Sequence, residues 1–165
     1  TGEVKTGGNY AASLYAAREA AEKGYDQVLW LDAKEKKYVE EVGSMNLCFI
    51  CDGKLVTSPL KGTILDGITR RSVLELARYN GIEVEERALS VDDIFAGVES
   101  GRITEAFGTG TAVVISPVGQ FTYKDRTVVV GDGKTTGRVT QELYDTLTDI
   151  QYGRMPDPHG WVDLL

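Results

Sequence analysis

The chain has 165 residues, 42% hydrophobic and 26% charged, which suits one domain able to bury about 70% of its unfolded surface. A net charge of −7 argues against a nucleic-acid backbone binder, and no apolar run approaches bilayer-spanning length, runs such as 28–31 and 112–115 being strand-sized. The basic run Lys34-Glu35-Lys36-Lys37 is broken by Glu35 and followed by Glu40-Glu41, so it reads as a solvated turn.

Residues 10–23 are rich in Ala and Glu, with Asn9 available as N-cap and Gly24 as terminator, which predicts a helix. Residues 27–31 read as a buried strand and 38–50 as one or two more. Asp52-Gly53 then supplies a tight hairpin turn into 54–57, and Pro59 ends that ribbon. A second helix opens at Gly67 and runs to Asn80, with Leu74, Leu76 and Ala77 apolar and Gly81 beyond its end. Residues 82–89 alternate like a strand. Ser90 and Asp93 form a capping-box variant for a short third helix through Val98, limited by Gly97 and Gly101. Residues 103–107, 111–118 and 127–130 are β-rich, 137–152 form a final helix, and Pro156 and Pro158 start an irregular tail ending in Trp161. This order lacks regular βαβ alternation and predicts an α and β fold, with helices around a mixed, largely antiparallel or barrel-like curved sheet.

Cys48 and Cys51 have a C-x-x-C spacing, but they sit in the apolar, β-like run Leu47-Cys48-Phe49-Ile50-Cys51. Residues three apart in a strand point to opposite faces, and the only histidine, His159, is far along the chain. Buried free thiols in a reducing cytosol, with no metal, are expected.

Four signals carry chemistry. Lys5, in Lys5-Thr6-Gly7-Gly8-Asn9-Tyr10, precedes a helix directly, a position where partial burial favours the nucleophilic amine. In Leu65-Asp66-Gly67-Ile68-Thr69-Arg70 a glycine leads into a helix whose free N–H groups and the Thr69 hydroxyl can face an anion. Phe107-Gly108-Thr109-Gly110-Thr111-Ala112 offers close backbone approach and hydroxyl donors, but matches neither a P-loop nor a dinucleotide fingerprint. In a strand, Glu40 and Glu41 point to opposite faces, so one can meet solvent while the other reaches a site. A lysine, an acid and a phosphate cradle together suit pyridoxal 5′-phosphate.

These blocks, with Gln27-Val28-Leu29-Trp30-Leu31-Asp32, Glu41-Val42-Gly43-Ser44-Met45-Asn46, Ile150-Gln151-Tyr152-Gly153 and Gly160-Trp161, resemble the branched-chain amino acid aminotransferases, of the fold-type IV class. The resemblance runs in order over nearly the whole chain. It implies a D-amino acid aminotransferase-like large domain in which Lys5 forms the Schiff base with the cofactor and shuttles the proton. Tyr10 would hydrogen-bond the phenolic oxygen, Glu41 pair with the pyridine nitrogen, Ser44 lie near the ring, and Leu65 pack on its face. Gly67, Ile68, Thr69 and Thr111 would hold the phosphate. Gly110, Thr111 and Ala112 would border the substrate carboxylate, with Tyr10 and Ser44 also beside the substrate. Two departures stand out: the family commonly has Thr at Ser44, and the redox C-x-x-C of some eukaryotic members is replaced by Val113 and Ser116.

The implied reaction is transamination of leucine, isoleucine or valine with 2-oxoglutarate, giving glutamate, by a cytoplasmic homodimer or higher homo-oligomer. D-Amino acid aminotransferases and aminodeoxychorismate lyases share the fold and cofactor; the Lys-x-Gly-Gly-Asn-Tyr block and the Gly-Trp tail favour the branched-chain group. Thr1 opens directly on the lysine motif, so residues 1–165 are expected to be a C-terminal cofactor-binding domain separated from a small N-terminal domain. The isolated piece is expected to be inactive, a binding or assembly domain.

Overall fold

A computed structural model describes residues 2–163. Its spine is β3 (Met45–Cys51), whose side chains alternate between two apolar cores. Leu47, Phe49 and Cys51 enter one, Cys48 and Ile50 the other. One edge of β3 pairs first with β2 (Val39–Val42) and then with β4 (Lys54–Thr57); the other edge pairs with β6 (Ile103–Gly110). Outside these lie β1 (Leu29–Leu31) on β2, β5 (Val84–Glu86) on β4, and β7 (Val114–Pro117) on β6. Only the β4–β5 pair is parallel, so the expected mixed, largely antiparallel sheet is present. The β3–β4 hairpin turns through Asp52 and Gly53, both at positive φ (50° and 77°), as a two-residue connection between twisted strands requires.

Helices α2 (Ile68–Tyr79) and α4 (Arg138–Gln151) cover one face through Val73, Leu76, Ala77, Leu143 and Leu147. Helix α3 (Val91–Glu99) and a separate ribbon, β8 (Gln120–Tyr123) with β9 (Arg126–Val129), cover the other. Phe121 of the ribbon lies 5.9 Å, ring to ring, from Phe49. The α3 cap is as expected: the Ser90 hydroxyl accepts from the Asp93 N–H, and the Asp93 carboxylate accepts from the Ser90 N–H.

Several boundaries differ from the sequence expectations. Helix α1 (Gly7–Glu22) starts before Asn9; Thr6 is its N-cap, and the Asn9 side chain instead donates to the Val4 carbonyl at 3.0 Å. Gly97 does not end α3. It is buried within it, where a Cβ would sit 2.7 Å from Ile103 Cδ1, so close helix–strand packing demands glycine. Residues 82–89 yield only three strand residues, because β5 has a partner only along Leu55 to Thr57. Strand β6 runs through Gly108 and Gly110 instead of stopping at Phe107. The span 111–118 divides into a turn, 111–113, and β7, and β8 was not expected. Thr1, on which the boundary expectation rests, lies outside the described residues.

Cys48 and Cys51 are buried, free and on opposite faces of β3, as the spacing implied. Among the described residues no helix is long and apolar enough to cross a membrane, and no group of three or more His, Cys, Asp or Glu is placed to hold a metal.

Candidate active site

A cleft of 1230 Å³ opens where α1, the β2–β3 hairpin, the N-terminus of α2 and the β6–β7 turn converge. All eleven residues singled out from the sequence line it: Lys5, Tyr10, Glu41, Ser44, Leu65, Gly67, Ile68, Thr69, Gly110, Thr111 and Ala112.

Lys5 is exposed at the cleft edge, on the segment leading into α1, and not partly buried as its position before the helix had suggested. That segment is fixed by the Val4 carbonyl, which accepts from the Thr6 N–H at 2.9 Å and from Asn9 Nδ2 at 3.0 Å. It also packs so closely on the loop before α2 that a Cβ on Gly2 would overlap the Thr63 carbonyl. The Thr63 hydroxyl in turn donates to Glu40 Oε1 at 2.5 Å. Glu40 is thereby occupied outside the cleft while Glu41 lines it, the division that strand alternation predicted.

Glu41 is half-buried, and the groups that donate to it are neutral. Asn46 Nδ2 donates to its Oε1 at 3.2 Å. Burial pushes its pKa up to about 7; the Leu65 backbone N–H opposes that rise and the charge of Glu40 adds to it. The acid is oriented but, among the described residues, makes no ion pair.

The helix termini differ in a telling way. The α4 N-terminus is covered by Glu105, which accepts from the N–H groups of Val139 and Thr140 at 3.0 and 2.7 Å. The α2 N-terminus has no side-chain cap and no acidic residue in its first turn, and Gly67, Ile68 and Thr69 border the cleft there. Asp66, the nearest carboxylate in sequence, pairs with Arg71 at 3.2 Å. Buried Arg70 holds this first turn in place, donating to the Ser58 carbonyl at 3.0 Å and to Glu86 at 2.7 Å. The positive end of the α2 dipole is left open to an anion.

The glycine-rich block is strand and turn together. Gly108 lies within β6, paired with Leu47 and Ser116, and a Cβ there would come 2.9 Å from Met45 Sδ, so Gly108 and Met45 pack closely. Thr111, Ala112 and Val113 form the turn, and Val114 closes it at φ 58°, an unusual conformation for a β-branched residue.

The buried polar residues of the cleft, Asn46 and Thr109, stand in the motif blocks but were given no individual role from the sequence. They are directly paired across β3 and β6, 5% and 1% exposed, and both line the cleft. The Thr109 hydroxyl is buried without a hydrogen-bond partner. A polar residue inside the apolar run of β3 was the available signal for Asn46; the hydroxyls of the glycine-rich block were noted, and the register is what sets that of Thr109 opposite Asn46.

These groups fit pyridoxal 5′-phosphate. An uncapped helix terminus with adjacent hydroxyls suits its phosphate, an uncompensated acid suits its ring nitrogen, and an exposed lysine suits its aldehyde.

The chain belongs to the amino-transferase class IV family, whose model matches residues 2–121. Within that family its similarity is to branched-chain aminotransferases of the fold-type IV architecture. It is 55% identical over 161 residues to branched-chain-amino-acid transaminase 1 of Bacillus subtilis (strain 168), covering 98% of this chain and 45% of that protein. The crystal structure of the Escherichia coli branched-chain amino acid aminotransferase superposes with a TM-score of 0.83 at 34% identity, covering 99% of this chain and 50% of that one. The T.th. branched-chain amino acid aminotransferase complexed with N-(5′-phosphopyridoxyl)-L-glutamate gives 0.82 at 34% identity, covering 98% and 50%. The chain thus spans about half the length of the relatives it matches.

Proposed function

We propose that this chain provides the lysine, acid and phosphate-binding elements of a pyridoxal 5′-phosphate enzyme that transaminates leucine, isoleucine and valine with 2-oxoglutarate. The observation that carries the reading is the meeting, in one cleft, of Lys5, the half-buried Glu41 and the open N-terminus of α2. The names of the relatives supply the substrate class, and the phosphopyridoxyl-glutamate complex of the T.th. enzyme supports the cofactor and glutamate as one amino-group carrier.

Bound there, pyridoxal 5′-phosphate offers an aldehyde for amines and a ring that withdraws electrons from the bond broken at the amino-acid α-carbon. Lys5 would hold the aldehyde between turnovers. Its Nζ, as a free amine, would be the group that takes and gives the proton at the substrate α-carbon. Glu41 keeps the ring nitrogen protonated, and Tyr10 donates to the phenolic oxygen. Leu65 excludes water from one ring face, with Ser44 beside the ring. Gly67, Ile68, Thr69 and Thr111 hold the phosphate through backbone N–H and hydroxyl groups. The 110–112 turn, with Tyr10 and Ser44, borders the substrate carboxylate.

The remaining wall of the pocket, including an arginine for the phosphate, is assigned to a small N-terminal domain, with residues 1–165 as the cofactor-binding domain of a homodimer or higher homo-oligomer. Free, buried thiols at Cys48 and Cys51 support a cytoplasmic location, where they would stay reduced. Borohydride reduction in the presence of pyridoxal 5′-phosphate, followed by peptide mapping, is expected to leave the pyridoxyl label on Lys5. A label on another lysine removes the assignment.

A further inference from the structure

We propose that Asn46 is a positioning residue that couples the cleft acid to the anion-binding turn: its side-chain amide bridges Glu41 on β2 and the Leu65 carbonyl that leads into α2. The inference rests on the cofactor reading above for its purpose, and on geometry alone for its existence.

Asn46 Nδ2 spends both hydrogens, one on Glu41 Oε1 at 3.2 Å and one on the Leu65 carbonyl at 2.8 Å. The other end of the amide fills the space where Gly67 would carry a side chain, since a Cβ there would lie 2.3 Å from Asn46 Oδ1. One buried side chain, 5% exposed, thus touches the acid, the residue assigned to the ring face, and the N-cap of α2. Strand register locks it in place, with Glu41 opposite it on one side and Thr109 on the other.

The residue type matters as much as the position. An amide orients one carboxylate oxygen by donation and brings no charge, so the acid stays uncompensated and able to receive a cationic ring nitrogen. A lysine or arginine here would neutralise Glu41 permanently. An aspartate would set a second carboxylate against it. The further titratable groups on the cleft are Lys5, Tyr10, Lys23, Tyr25, Asp26 and Tyr123, with Glu40 beside Glu41.

The test uses the 165-residue chain with two readouts. In the ligand-free chain, carbon-13 NMR titration follows the Glu41 carboxyl, assigned by its loss in E41Q. Losing a charge-assisted donor in Asn46→Ala is expected to raise the Glu41 midpoint by about one unit. Pyridoxal 5′-phosphate affinity is then measured by fluorescence in the wild type, N46A, E41Q and the double variant. N46A is expected to weaken binding about tenfold with Glu41 present and less than about threefold with Gln at 41, because the two act as a unit. Equal losses in both backgrounds, or an unmoved midpoint in folded N46A, overturn the proposal. Should N46A fail to fold, N46D keeps the shape, and its affinity loss is expected to be larger at about pH 8 than at about pH 5.5, where the introduced carboxyl regains a proton to donate; a loss independent of pH overturns the proposal. A wild-type chain that fails to bind the probe refutes the cofactor reading, while the NMR midpoint still decides the role of Asn46.

Discussion

Replacing Glu41 by glutamine turns the candidate acid into a probe of what the cleft costs the fold. Burial lifts this carboxyl from 4.5 to about 7, so the folded chain holds its proton over a range in which the unfolded chain has released it. The stability tied to Glu41 is therefore fully present below pH 4.5 and is lost as pH rises to about 7. A shift of that size corresponds to about 3 kcal/mol at about 1.36 kcal/mol per unit, and solvent access to the half-buried side chain reduces it to about 1–2 kcal/mol. Glutamine keeps the oxygen that accepts from Asn46 and never ionises. Urea unfolding of the ligand-free chain at about pH 8.5 should show Glu41→Gln more stable by about 1–2 kcal/mol, and at about pH 4.5 the gain should shrink to a few tenths. A variant equally stable at both pH values, or less stable than wild type at the higher one, refutes the reasoning.

Two other outcomes can be checked directly. Thr109→Val removes a buried hydroxyl that has no partner, so ligand-free stability should rise by about 1 kcal/mol in urea titrations while pyridoxal 5′-phosphate affinity falls several-fold; destabilisation would mean the hydroxyl is satisfied within the protein. Burial pushes the Cys48 thiol up to about 11 and raises that of Cys51, and the sheet separates them. At about pH 8, Ellman's reagent should count both thiols only after denaturation, and an oxidant should form no internal disulfide; fast native labelling or a Cys48–Cys51 bond contradicts the fold.

The elements that local chemistry dictates were legible in the chain: the Asp52-Gly53 turn, the Ser90/Asp93 box and the amphipathic α2 and α4 all stand where propensity and periodicity put them. Expectations failed where tertiary contact overrides local preference. Gly97 and Gly108 look like breaks, yet each is a point of close approach, to Ile103 and to Met45. The short β8 was hidden because its reason to exist is the packing of Phe121 on Phe49, 72 positions earlier in the chain. The cleft residues followed from motif blocks and all converge. Asn46 and Thr109 stood in the same blocks without a role of their own, since their pairing comes from register across three strands, which no single segment encodes.

The alternation of β3 ties folding to chemistry. Sliding this strand by one residue against β2 and β6 would turn Asn46 into the apolar core now filled by Leu47 and Phe49, and would aim Leu47 at the cleft. An amide buried there without partners would cost about 1–3 kcal/mol, so the group that orients the acid also penalises the wrong pairing. A misregistered sheet would thus be recognisable as both the less stable and the inert form, and selection for either property guards the other.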